Sequence, residues 1–160
     1  MADASVPPQP APRIQSVLFA CSENAVRSPM AAALAEQRFG RLMHVASVGV
    51  RPGEPDPFMV EAMDEMGLDL SRHRPRTFEE LDDTCFDMIV TLSPEAHHRA
   101  LEFTRTMAVS VVYWPTLDAT GIEGSRAIVL QAYRSVRDAL AARIRTTLVA
   151  NAQPSANLPG

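Results

Sequence analysis

Cys21 and Arg27 stand six positions apart in the stretch Cys21-Ser-Glu-Asn-Ala-Val-Arg-Ser-Pro-Met30, directly after the apolar run Ser16-Val-Leu-Phe-Ala20. A thiol and a guanidinium at the two ends of a short loop can serve one anion. Such a loop turns backbone N–H groups inward as an anion-sized nest. A helix starting at Ser28 adds partial positive charge at its N-terminus. Arg27 supplies a planar fork that matches two oxygens of a phosphate. The same donors favour a thiolate over a thiol. The pattern therefore predicts a loop that holds a phosphoryl dianion and ionises the nucleophile beneath it. Cys21 would attack phosphorus, and water would release the resulting cysteinyl phosphate. Ser22, Glu23, Asn24, Ala25, Val26 and Ser28 form the expected anion-binding wall, with Ser28 also donating to the departing sulfur.

The elements that must position these groups are readable from periodicity. Ile14 to Ala20 reads as a first strand. Ser28-Pro29 resembles an N-cap followed by proline at the first helical position, and the helix runs to Gly40 as its C-cap. Leu42 to Val48 reads as a second strand. Phe58, Met59, Ala62, Met63 and Met66 recur at helical spacing up to Gly67, which predicts a core face. A short helix is expected around Thr77 to Leu81, a third strand over Phe86 to Leu92, a helix after Ser93-Pro94, and a fourth strand over Val109 to Trp114. From about Gly124, Leu130, Tyr133, Val136 or Arg137, Leu140, Ile144 and Leu148 trace one apolar stripe. Strands alternating with helices predict an α/β sandwich with a parallel sheet covered on both faces. Ligands in such sheets bind at the carboxyl ends of the strands, where Cys21 falls.

The run Val17-Leu-Phe-Ala-Cys21, with Arg27-Ser-Pro-Met-Ala31 after it, resembles the active-site segment of the low-molecular-weight protein tyrosine phosphatases, a family that shares its fold with the thioredoxin-linked arsenate reductases. The similarity extends through Ala46-Ser-Val-Gly-Val-Arg-Pro-Gly53, Gly67-Leu-Asp-Leu-Ser-Arg-His73 and Phe86-Asp-Met-Ile-Val90. It implies a flavodoxin-like three-layer sandwich with a central four-stranded parallel sheet. It also implies Cys21 as nucleophile, Arg27 as phosphate clamp, and Asn24 and Ser47 as residues that hold the loop in shape. A general acid is needed to protonate the leaving oxygen. The family takes it from an Asp-Pro pair before the last helix, which implies Asp118 here, with Ala119 in place of the proline and a less rigid loop.

Other departures qualify the resemblance. Glu23 stands where the family usually has glycine. On the rim, a carboxylate about 8 Å from a dianion costs on the order of 1 kcal/mol in a water-like dielectric. Val26 replaces a second loop cysteine found in many relatives. The arsenate reductases relay a disulfide through two further cysteines, whereas this chain has only Cys85, expected as a packed residue before the third strand. An arsenate reductase would therefore have to draw on an external thiol. A third possibility is an oxyanion-binding module with weak turnover. Tyr113 and Trp114 are candidates either for a pocket wall or for core. His97 and His98 are expected to be solvated, and His73 to pack or hydrogen-bond within the Arg72 to Arg76 basic patch.

The chain as a whole narrows the choice. It has 160 residues, 46% hydrophobic and 21% charged, with a formal net charge of −4. That balance argues against general binding to nucleic acid or membrane surfaces. All fifteen basic residues are arginine, so a Walker-type site and lysine Schiff-base chemistry are both excluded. Two cysteines make no disulfide framework, which predicts a reduced, cytoplasmic protein. The ends, residues 1–12 and 150–160, are rich in proline and polar residues and read as disordered tails around a domain over 13–149. The expected substrate is a phosphorylated protein, a small phosphate ester or arsenate. No metal or organic cofactor is expected, and the oligomeric state is left open.

Overall fold

The computed structural model describes residues 14–82 and 85–148. The proposed tails and the domain limits at 13 and 149 lie outside the described residues. Four strands, β1 (Ser16–Cys21), β2 (His44–Gly49), β3 (Met88–Thr91) and β4 (Ser110–Tyr113), form one sheet in the order β2-β1-β3-β4, with every pairing parallel. β1 lies between β2 and β3, so its Val17 to Ala20 segment is fully buried. A parallel strand covered on both sides carries a continuous apolar run rather than an alternating one, as this one does.

Helices α1 (Arg27–Phe39), α2 (Pro57–Asp64) and α4 (Arg126–Arg143) cover one face; α3 (Pro94–Phe103) and a 3-10 turn at Phe78–Glu80 cover the other. The core is accordingly split. Val17, Phe19, Val90 and Leu92 pack against α1, α2 and α4, while Leu18, Ala20, Val48 and Ile89 pack with Phe78, Ala96 and Ala100. The expected three-layer α/β sandwich is the observed one. Leu130, Tyr133, Val136, Arg137, Leu140, Ile144 and Leu148 of the last stripe are all buried, the final two in a π-helical extension over Ile144–Leu148.

Several boundaries differ from the sequence reading. α1 begins at Arg27 rather than Pro29, and Val26, which has no capping side-chain bond, precedes it. Ser28 does not cap this helix, because its hydroxyl is engaged elsewhere. β2 starts at His44, since Leu42 sits in the turn after Gly40 and is 54% exposed. β3 and β4 are each shorter at both ends than expected. Met66 lies beyond α2 and is exposed, whereas Met59, Ala62 and Met63 form its core face. Cys85 is exposed rather than packed.

Candidate active site

β1 ends at Cys21 on the C-terminal edge of the sheet, and the chain from there to Arg27 makes one tight loop. Neighbouring backbone fixes its shape. The carbonyls of Cys21 and Ser22 accept from Val50, that of Ser22 also from Arg51, and that of Glu23 from Gly53. The Asn24 carbonyl meets His73 Nε2 at 2.7 Å. With four successive carbonyls committed to surrounding segments, the loop's N–H groups remain as its available donors. The segment after β2 approaches closely: a Cβ on Gly49 would fall 2.7 Å from the Asn24 nitrogen, so only glycine fits there.

Asn24 is the pivot. Its φ of 56° lies in the left-handed region, where asparagine is among the tolerated residues. The buried side chain donates from Nδ2 to Ser28 Oγ at 2.8 Å and to Ser47 Oγ at 3.0 Å, and its Oδ1 accepts from the Arg76 backbone N–H at 3.0 Å. Asn24 and Ser47 are thus brought together as the resemblance implied. His73 and Arg76 are drawn into the same support, with Arg76 Nε donating to the Ser47 carbonyl at 3.1 Å. Arg76 is therefore not part of a merely solvated patch.

At the floor of the loop, Cys21 is 2% exposed. Its Sγ lies 3.0 Å from Ser28 Oγ and accepts from the Ser28 backbone N–H at 3.4 Å. Ser28 Oγ also donates to the Val48 carbonyl at 3.2 Å. The hydroxyl that the sequence suggested for a helix cap thus lies against the thiol.

Above the sulfur is a cavity of about 150 Å³, lined by Cys21, Ser22, Glu23, Ala25, Val26, Arg27, Arg51, Asp118 and Thr120. Arg27 is buried, donates from Nη1 to the Thr116 carbonyl at 3.1 Å and holds Nη2 3.9 Å from Asp118 Oδ2. Asp118 Oδ1 accepts from the Thr120 backbone N–H at 3.0 Å and from Thr120 Oγ1 at 2.6 Å. Burial raises the Asp118 carboxyl, but the two Thr120 hydrogen bonds and the Arg27 charge outweigh it, and the net displacement is below the usual carboxylate range. Ala119 is fully buried in a 3-10 turn that Asp118 itself caps. An Asx-type turn and a buried methyl group therefore brace this loop without the expected proline.

Glu23 points outward to the rim, with Oε1 3.7 Å from Arg51 Nε. Arg51 also makes two hydrogen bonds to Glu95, at 2.7 and 2.8 Å, and the Arg51 bonds hold the Glu95 carboxyl below its usual range against opposing burial. Ser22 Oγ donates to Ser93 Oγ at the α3 N-cap, at 3.0 Å. Glu23 thus shares one cation with Glu95, which binds that cation more closely. Nothing in the sequence marked Arg51 for this place. Thr120 was missed as well, although an Asp two residues before a Thr is the pattern of an Asx turn.

Other candidates fall away from the cavity. Trp114 is 2% exposed and packs on Phe19, while Tyr113 stacks on His97 at 5.1 Å, so neither lines the Cys21 cup. His97 is not simply solvated, since its Nδ1 meets Thr91 Oγ1 at 2.9 Å. His98 is exposed beside Glu102. Cys85 precedes β3 at the edge opposite Cys21, on the order of 20 Å away from strand rise. A disulfide requires Cα atoms within about 7 Å, so these two cysteines make no intramolecular relay.

The family model described as low molecular weight phosphotyrosine protein phosphatase matches residues 16–150. An arsenate reductase of Brevibacillus brevis is 31% identical over 134 residues, covering 82% of this chain and 92% of that protein. The solution structure of a low molecular weight protein tyrosine phosphatase from Bacillus subtilis aligns with a TM-score of 0.67 at 25% identity, over 85% of this chain and 96% of the other. The structure of an arsenate reductase in the phosphate binding state gives a TM-score of 0.72 at 22% identity, over 86% and 99%, a likeness of fold alone.

Proposed function

This chain belongs to the low molecular weight phosphotyrosine protein phosphatase family, and from that premise we propose that it is a cysteine-dependent phosphatase acting on phosphate monoesters of the phosphotyrosine type. The observation that carries the reading is the contact of Cys21 Sγ with both the hydroxyl and the N–H of Ser28 at the floor of a cavity walled by Arg27 and Asp118.

The Ser28 hydroxyl lies within hydrogen-bond reach of both Cys21 Sγ and the Val48 carbonyl. When sulfur is ionised, the Ser28 hydroxyl swings its proton onto it. Cys21 thiolate then attacks phosphorus and forms the P–S bond while the ester P–O bond breaks. Arg27 and the loop N–H groups hold the equatorial oxygens. Asp118 gives its proton to the leaving oxygen. Before substrate arrives, the Arg27 and Thr120 contacts keep Asp118 ionised. A phosphoryl dianion draws Arg27 to itself and adds negative charge beside the carboxylate, and both effects favour the protonated acid the step needs. In the second step Asp118 takes a proton from water, hydroxide oxygen bonds to phosphorus, and the P–S bond breaks with the Ser28 hydroxyl supporting the departing thiolate.

Rapid quenching of the protein with a 32P-labelled aryl phosphate tests this directly. Label on Cys21, lost in Cys21→Ala, is the expected result; turnover without a labelled cysteine would rule the mechanism out.

A second reading rests on the Brevibacillus brevis relative, named an arsenate reductase. The same cup suits arsenate, but with Cys85 at the far edge of the sheet, reduction would require an external thiol. Arsenate turnover that depends on added glutathione or mycothiol would favour it.

A further inference from the structure

The Cys21 cup adjoins a groove of about 470 Å³, with which it shares Glu23, Ala25 and Thr120. In-line attack by Cys21 puts the leaving group opposite sulfur, beside Asp118. Thr120, which holds that acid, lines both spaces, so the body of a substrate anchored by its phosphoryl group extends into the groove. Phe58 and Tyr133 give the groove aromatic surface, their ring centroids 5.4 Å apart. Its charge is one-sided. Glu54 is exposed and has no hydrogen bond or ion pair among the described residues. Asp56 accepts from the Phe58 and Met59 N–H groups and from the Tyr133 hydroxyl, all of them neutral donors. Glu23 must share Arg51 with Glu95. The neighbouring cations are engaged elsewhere: Arg27 faces the phosphoryl site, and Arg126, with Cζ 5.8 Å from the Phe58 ring centroid, is paired with Glu61. Burial, the Asp56 hydrogen bond and the charges of Asp56 and Asp118 all raise the Tyr133 phenol, so Tyr133 stays a neutral donor under the influence of these acids.

Building on the phosphatase reading of the cup, we propose that this groove selects substrates by charge: it favours aryl phosphates that carry a cation beyond the ring, as in a phosphotyrosine flanked by lysine or arginine, over acidic ones. The ring lies against Phe58 and Tyr133, and the ammonium or guanidinium group lies among the carboxylates of Glu23, Glu54 and Asp56. Two to three uncompensated carboxylates about 8 Å from such a cation, partly screened by salt, amount to roughly a three- to tenfold preference over a neutral ligand. The same field acts with opposite sign on a ligand that carries an extra carboxylate. Glu54 and Glu23 are thus specificity-determining residues that take no part in the chemical step.

Benzylphosphonates keep the aryl body and the anionic head but have no ester bond to hydrolyse, so they report binding separately from turnover. Calorimetry on the full chain at low ionic strength would compare 4-(2-aminoethyl)benzylphosphonate, 4-propylbenzylphosphonate and 4-(2-carboxyethyl)benzylphosphonate. The expected order of affinity is ammonium, propyl, carboxylate, with at least a tenfold difference between the first and the last. Glu54→Arg, at an exposed position, should bring those two within about threefold of each other, and so should 0.5 M sodium chloride with the unsubstituted protein. Equal affinities, tighter binding of the carboxylate, no binding of any of the three, or an order that Glu54→Arg leaves unaltered would overturn the proposal. Hydrolysis of p-nitrophenyl phosphate, followed in the same preparations, reports on the cup alone: turnover combined with equal phosphonate affinities would keep the phosphatase and remove the charge selection.

Discussion

Two hydrogen bonds from Thr120 set the working range of Asp118. Because they hold the carboxylate ionised, the proton-donating form is scarce at neutral pH in the resting protein. In the proposed mechanism phosphoryl transfer requires protonated Asp118, so its rate should fall as pH rises through the carboxyl's pKa in the complex. Thr120→Val removes the 2.6 Å hydroxyl bond but keeps the backbone one. The carboxyl pKa then rises, and the descending limb of the pH–rate profile for aryl phosphate hydrolysis should move to higher pH. A limb that stays in place, or moves to lower pH, would mean that Asp118 is not the proton donor. For Glu23 the place on the rim was legible in the sequence, but its partner was not. Arg51 lies 3.7 Å from it while bonding Glu95 more closely, and no periodicity or motif connects these positions.

The turn from β1 into α1 is held by Asn24 within it and, from outside, by Ser47, Arg76, His73 and the glycine at the end of β2. Asn24→Ala would leave Ser47 and the Arg76 N–H without a buried partner and place alanine at positive φ. A loss of about 2 kcal/mol in urea unfolding is expected, together with aryl phosphate turnover reduced at least tenfold because the loop amides no longer converge. Full stability would remove Asn24 from this role. The elements themselves were readable because burial imposes strong patterns. The apolar run of β1 and the α4 stripe from Leu130 to Leu148 admit one arrangement each. Boundaries were less so: Ser28-Pro29 looks like a helix start, yet the hydroxyl serves Cys21 and Val48, and the helix begins at Arg27, two residues before Pro29. Long-range partners such as His73 with Asn24, 49 positions apart, leave no local signal.

Across the whole molecule, α2 and α4 are joined by charge as well as by core. Tyr133 donates to Asp56 Oδ2 at 2.6 Å, and burial together with that bond raises the phenol. Glu65 accepts from Arg134 and Arg137, and Arg137 also donates to the Ala62 carbonyl at 2.7 Å. The Arg134 and Arg137 hydrogen bonds lower the Glu65 carboxyl to about 2. A depressed folded-state value contributes stability above the unfolded value, and that contribution is lost as pH falls towards 2. Glu65→Gln should therefore lower the urea midpoint at pH 7, and the gap to the unsubstituted protein should narrow between pH 4.5 and 2. A gap independent of pH would show that the pair contributes through packing rather than charge. No helix among the described residues is long and apolar enough to cross a membrane.

In the proposed reaction one thiol, Cys21, performs phosphoryl transfer with Asp118 as its acid. Hydrolysis of p-nitrophenyl phosphate from pH 4.5 to 8, for the unsubstituted protein, Cys21→Ser and Asp118→Asn, tests it most directly. Turnover should be greatest on the acid side, at least a thousandfold lower in Cys21→Ser, and stripped of its acid-side dependence in Asp118→Asn. Turnover persisting in folded Cys21→Ser, or none in the folded and reduced unsubstituted protein, would contradict it.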